Sequence, residues 1–153
     1  MKYKFTKAQF RRAFTLIELL VVISITGILL GLSVIGLQSA RQSSRDAKRK
    51  SDLELIRSGL EIYKADCDSY PVTLSSGNPL KGSNATASCL STNTYISLVP
   101  TDPNSSTNSY SYKSDGVTYT LCAALEQAPS PTMAPSPTCN SCTANCNYRV
   151  TNP

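Results

Sequence analysis

The side chains with chemistry to offer are six cysteines, ten carboxylates and fifteen Lys or Arg, with no histidine. Without imidazole there is no His-based acid–base pair, no Ser–His triad, no c-type haem attachment and no His metal ligand. Cys139-Asn140-Ser141-Cys142 is a C-x-x-C. A redox pair of this kind needs a thiolate of depressed pKa at a helix N-terminus in a βαβ setting, and this one follows a proline-rich stretch. With Cys122 it offers three thiolates to zinc, but a second C-x-x-C is missing. Asp102, Asn104 and Ser106 have the 1, 3, 5 spacing of a calcium loop, yet Lys113 stands where a bidentate Glu would close it and the central Gly is absent. Asp102 and Asp115 are therefore weak calcium candidates beside a reading as turn residues, and no other cofactor is implied. Asp66 and Asp68 read as helix-end and turn residues, and no Gly-rich phosphate loop or catalytic cleft pair is seen. One carboxylate is unusual for its setting: Glu18 sits near the start of a long apolar run. A charge in lipid costs on the order of 2.5–3.5 kcal/mol at mid-bilayer. Glu18 either snorkels to the headgroups or has a specific partner.

Those residues have to be positioned by a few elements. From Leu19 to Leu37 there is no charge and no proline. At about 1.5 Å per residue this stretch covers roughly 28 Å as a helix, close to the thickness of a bilayer's hydrocarbon. Gly27 and Gly31 form a G-x-x-x-G, which lets helix backbones approach closely in lipid. Five basic residues lie in residues 1–13 and no acid comes before Glu18, so the net charge of +5 belongs to that leading segment. From Phe14 onward ten basic residues face ten acidic ones, which gives no reason to expect a nucleic-acid partner. An ordinary secretory signal fits poorly. The run is too long, and Gln38-Ser39-Ala40 lacks the small residue upstream of a cleavage site.

Residues 38–66 continue the helix, with Leu53, Ile56, Leu60 and Tyr63 as a buried stripe that Leu55 and Ile62 widen. Arg41 to Lys50 reads as a solvated, all-polar face. Cys67 to Pro71 ends the helix, since Pro71 disfavours helix at Tyr70. Residues 72–100 read as a polar loop that Cys67 and Cys89 could tie down. Tyr110 and Tyr112, then Val117, Tyr119 and Leu121, alternate as two strands around a type I′ turn at Asp115-Gly116. Their tyrosines are expected to pack on the helix stripe. Residues 127–138 form a Pro/Ser linker. Residues 139–153 form a Cys-rich segment with a last strand near Asn147 to Val150. All six cysteines (Cys67, Cys89, Cys122, Cys139, Cys142 and Cys146) follow the apolar run, as in an exported domain held by structural disulfides. The pairing is left open.

Arg11-Arg12-Ala13-Phe14-Thr15-Leu16-Ile17-Glu18-Leu19-Leu20 resembles the processing site of type IV pilins and type II secretion pseudopilins. Tyr95 to Pro103 resembles the segment that precedes the sheet in the same proteins. The resemblance implies cleavage between Ala13 and Phe14 by a prepilin peptidase, followed by N-methylation of Phe14. Ala13 stands where the family usually has Gly. Glu18 would pair with the N-terminus of a neighbouring subunit, and the face with Gly27 and Gly31 would pack against other subunits' helices. Some pseudopilins bind calcium between the sheet and the C-terminus, and many pilins pin that terminus by a disulfide, as Cys122 and the C-terminal cysteines could.

The expected architecture is α+β and pilin-like, a long N-terminal helix packed on a small antiparallel sheet. Its divisions are a leader (1–13), an assembly helix (14–37), an amphipathic helix (38–66), a globular head (67–126), a linker (127–138) and the Cys-rich segment (139–153). The expected function is that of a non-enzymatic subunit of a type IV pilus-like filament. A secretion pseudopilin and an uncleaved, membrane-anchored extracytoplasmic binding module are the alternatives. The partners would be other pilin or pseudopilin subunits, the peptidase, the assembly platform and the membrane. The precursor would sit in the cytoplasmic membrane as a single-pass protein, and the filament in the periplasm or outside the cell.

Overall fold

The computed structural model describes residues 14–127 and 146–153. The leader, Ala13, most of the linker, Cys139 and Cys142 lie outside them. The element order is α1 (Leu16–Cys67), β1 (Leu80–Lys81), β2 (Thr94–Ile96), β3 (Ser111–Ser114), β4 (Tyr119–Ala123) and β5 (Tyr148–Thr151). The fold is α+β and pilin-like. It divides into two compact units, one ending at Ser39 and the other beginning at Ala40.

In the first unit the helix is apolar on every side. An 18-residue window reaches a mean hydropathy of 2.6, long and apolar enough to cross a membrane. Its large apolar side chains, from Phe14 through Leu32 and at Leu37, are exposed. The few hydroxyls in this stretch bond to the helix itself. Ser24, Thr26 and Ser33 each donate to the carbonyl four residues earlier at 2.8 Å. This satisfies the donor without water, which a lipid interior requires.

In the second unit the same helix has one buried stripe. Leu53, Ile56, Leu60, Tyr63 and Cys67 recur at alternating steps of three and four and are at most 4% exposed. They form one core with Ile96, Val99, Tyr119, Leu121, Ala123 and Val150. Leu55 and Ile62, expected to widen the stripe, are exposed. Seven residues apart, they share one face of the helix beside the three-and-four stripe, and that face is left exposed. Asp68, at φ 58°, stops the helix, and its N–H donates to the Lys64 carbonyl at 3.0 Å. The helix thus ends in a left-handed cap before Pro71 can act.

The main sheet is antiparallel in the order β3-β4-β5, with Leu121 opposite Tyr112 on one side and Val150 on the other. The β3–β4 connection differs from the expected type I′ turn. Ser114 pairs with Tyr119, leaving four residues between, and only Gly116 has positive φ. Asp115 holds this turn by accepting N–H bonds from Val117 and Thr118. Those bonds, to Thr118 first, hold its carboxyl below the usual range.

The loop at 72–100 contains a second small sheet, β1 paired with β2, and the Cys67–Cys89 disulfide ties it to the helix end. Gly82 allows the close approach here. A Cβ at this position would lie 2.2 Å from the Leu90 carbonyl oxygen. Gly82→Ala should therefore lower the thermal midpoint of the head. Forcing a methyl against backbone costs about 1–3 kcal/mol. Circular dichroism melts compared with those of the parent chain check this, and an unchanged midpoint would contradict it.

Candidate functional site

At the helix start, Thr15 and Glu18 have the spacing of a capping box, Thr-x-x-Glu. The Glu18 N–H donates to Thr15 Oγ1 at 3.3 Å, which satisfies one of the helix's open amides. The Glu18 side chain is exposed and lies in the first helical turn, where the helix dipole favours negative charge. Phe14 precedes the helix with an exposed ring. A Cβ at Gly27 or at Gly31 would meet nothing within 4 Å. Phe14, Glu18, Gly27 and Gly31 are thus all on uncovered surface within one stretch of chain. The role of Thr15 as a cap is not among the sequence expectations, although the Thr-x-x-Glu spacing signals it.

On the head, the stripe of the helix does not stop at Leu53. Continuing the same steps backward reaches Arg49 and Asp46, which are 0% and 5% exposed. This corrects the reading of Arg41 to Lys50 as a wholly solvated face. Arg49 Nε and Nη2 donate to the two oxygens of Asp102 at 2.8 and 3.1 Å. Arg49 Nη1 donates to Asp46 at 2.7 Å and to Glu126 at 3.0 Å. Asp46 also accepts the backbone N–H groups of Glu126 and Gln127, at 2.9 and 2.8 Å. Arg45 clamps Glu126 from outside with two further donors. The signal that could have found this cluster was the stripe's own rhythm, carried from apolar residues into charged ones.

Asp102, a calcium candidate in the sequence, is thus bonded to Arg49, and its Oδ1 also accepts the Asn104 N–H at 2.7 Å. Asn104 in turn accepts the Ser106 hydroxyl. Asp115 is occupied by its own turn. Among the described residues no group of three or more His, Cys, Asp or Glu is arranged to hold a metal.

Tyrosines join the sheet and loops to the helix through carboxylates. Tyr70 and Tyr119 both donate to Glu61 at 3.0 Å, Tyr110 to Asp52 at 2.8 Å and Tyr95 to Asp66 at 3.0 Å. Burial pushes the Tyr110 and Tyr119 phenols well above their ordinary range and Tyr112 up to about 12. Cys122 and Cys146 are each disulfide-bonded.

Arg45 first, then Arg49, holds Glu126 at about 2, down from 4.5. A depressed carboxylate stabilises the fold fully above its unfolded value and loses that contribution as pH falls through the folded one. The midpoint of urea unfolding should therefore decline as pH is taken from 4.5 toward 2. Glu126→Gln should lower it at neutral pH and flatten that part of the profile. A variant profile as steep as the parent's would refute the assignment.

Comparisons with known proteins agree with this geometry. Residues 9–34 match the prokaryotic N-terminal methylation motif, and residues 37–125 match type II secretion system protein G. The type II secretion system core protein G of Vibrio cholerae is 31% identical over 112 residues, which cover 72% of this chain and 75% of that protein. The core protein G of Klebsiella michiganensis is 40% identical over 67 residues, covering 44% of this chain and 47% of that one. That of Escherichia coli is 38% identical over 63 residues, 41% of this chain and 43% of the relative. The chain spans less than half the length of these last two relatives. No solved structure matches it. With its helix, small sheets and N-terminal motif in one order, the chain belongs to the type II secretion system protein G family.

Proposed function

We propose that this chain is a structural subunit of a type IV pilus-like filament, of the type II secretion kind. The observation that carries the reading is the apolar first half of α1. Among the described residues its large apolar side chains, from Phe14 through Leu32 and at Leu37, are exposed. An uncovered surface of this size is tolerable in lipid, or against other helices of the same kind, but not in water. Of the two filament types, membership of the protein G family favours the secretion pseudopilus over a surface pilus.

The rest of the proposal follows from charge. As a precursor the chain is anchored once in the cytoplasmic membrane, and its five leader cations hold the N-terminus inside. A prepilin peptidase removes residues 1–13 and methylates Phe14. The new amine lies close to Glu18 in sequence, and a Glu18 carboxylate of one subunit can pair with the amine of the next. Opposite charges attract far more strongly in a low-dielectric setting than in water. Helices then pack side by side along Gly27 and Gly31, and the filament grows outward from an assembly platform into the periplasm. The role of the chain is scaffolding and not catalysis.

Protein isolated from its host, analysed by intact-mass and N-terminal fragmentation, should begin at N-methyl-Phe14. Recovery only as a chain starting at Met1, from cells with an active peptidase, would favour the uncleaved anchored module instead. Glu18→Ala should be trimmed as the parent is but yield few or no filaments in electron micrographs. Normal filaments from that variant would remove the pairing role.

A further inference from the structure

Three carboxylates from distant parts of the chain converge on the upper end of the buried stripe. Asp46 comes from the helix, Asp102 from the loop before β3 and Glu126 from the segment after β4. Such a meeting of like charges needs a cation between them. In a secretory protein the usual candidate is calcium, which takes about 6–8 oxygens at 2.3–2.6 Å. The residues do not fit it. Both Asp102 oxygens are held by Arg49, and Asp46 divides its oxygens between Arg49 and the N–H groups of Glu126 and Gln127. Glu126 gives one oxygen to both arginines and the other to Arg45. All three carboxylates therefore have a donor on each oxygen, and the centre they surround is filled by a guanidinium with no exposed surface.

We infer that Arg49 is a built-in counter-ion, doing for this head what a bound divalent cation would otherwise do, so that the fold needs no calcium. The guanidinium suits the task because its planar fork meets Asp102 with two parallel bonds while Nη1 reaches the other two acids. It is also supplied by the helix and cannot dissociate. The loop through Asp102 and the segment through Glu126 are thus fastened to α1 whatever the calcium level outside the cytoplasm. The inference concerns the stability of the head and does not depend on polymerisation.

The test uses the full chain in detergent with its disulfides intact. Its thermal midpoint should be the same in millimolar calcium chloride and in excess EDTA, and calorimetric titration with calcium should give no stoichiometric binding. Arg49→Met should lower the midpoint by on the order of 10–20 °C, because it leaves the buried Asp46 and Asp102 without their cation and Glu126 with Arg45 alone. Arg49→Lys should recover only part, since one ammonium cannot reproduce the fork. A calcium-dependent rise in the parent midpoint would overturn the inference, as would an Arg49→Met variant as stable as the parent. If Arg49→Met does not fold, the parent titration and the Lys variant still decide the question. A Lys variant equal to the parent would show that the fork is not needed.

Discussion

A guanidinium with no exposed surface can stay inside a protein only if its charge is answered and each of its nitrogens finds an acceptor. Arg49 meets that condition with acids from three separate places. The arrangement fixes more than charge. Asp46 and Arg49 lie on the helix one turn apart, so they set the height at which the loop through Asp102 and the segment through Glu126 must land. Below them the apolar stripe takes over, with Leu53 next in the same rhythm. The helix thus has one continuous binding line, ionic at its upper end and apolar below. Neither end alone would define a register, because apolar contacts slide more easily than a forked ion pair.

The head needs such devices because it has little sheet. Its strands are two to five residues long. A small domain of short strands buries limited apolar area, and cross-links or polar anchors must supply the rest. Here they come in two forms. Disulfides fasten the loop at Cys89 to the helix end and involve Cys122 on the central strand. The tyrosines do the same work from the side. Their rings fill the core, while their hydroxyls reach back to Glu61, Asp52 and Asp66 on α1. Those three acids accept charge-assisted bonds, stronger than a neutral pair would give.

What could be read from the sequence follows the strength of each local pattern. The helix was legible because nineteen residues without charge or proline, then a three-and-four stripe, admit few other conformations. The β3 and β4 strands were legible from their alternation. The charged end of the stripe was not, because a pattern search for apolar residues stops where the apolar residues stop. Arg49 looks solvated until its three acids, up to 77 residues away, are known to meet it. The turn at Asp115-Gly116 was misjudged for a related reason. The pair favours a two-residue turn, but Thr118 and Val117 bond to the Asp115 side chain and lengthen it. β1 and β2 are too short to announce themselves, and the disulfide and Gly82 make their pairing possible.

In the proposed filament Glu18 would bring local and assembly demands onto one residue. Thr15 caps the helix at the Glu18 N–H, so the backbone there is satisfied without the Glu18 side chain. The carboxylate nevertheless stays in the first turn, where unpaired amides carry partial positive charge. That location lowers the cost of holding an anion at the edge of an apolar run. It does so without neutralising the charge, since a helix end supplies only about half an elementary charge. An acid placed there is stable enough to persist in a single chain and still gains by meeting a full cation. A capped helix start followed by an unsheathed apolar surface thus has attraction at one end and a demand for cover along its length. In the proposed filament both would be met by a second, trimmed helix of the same sequence.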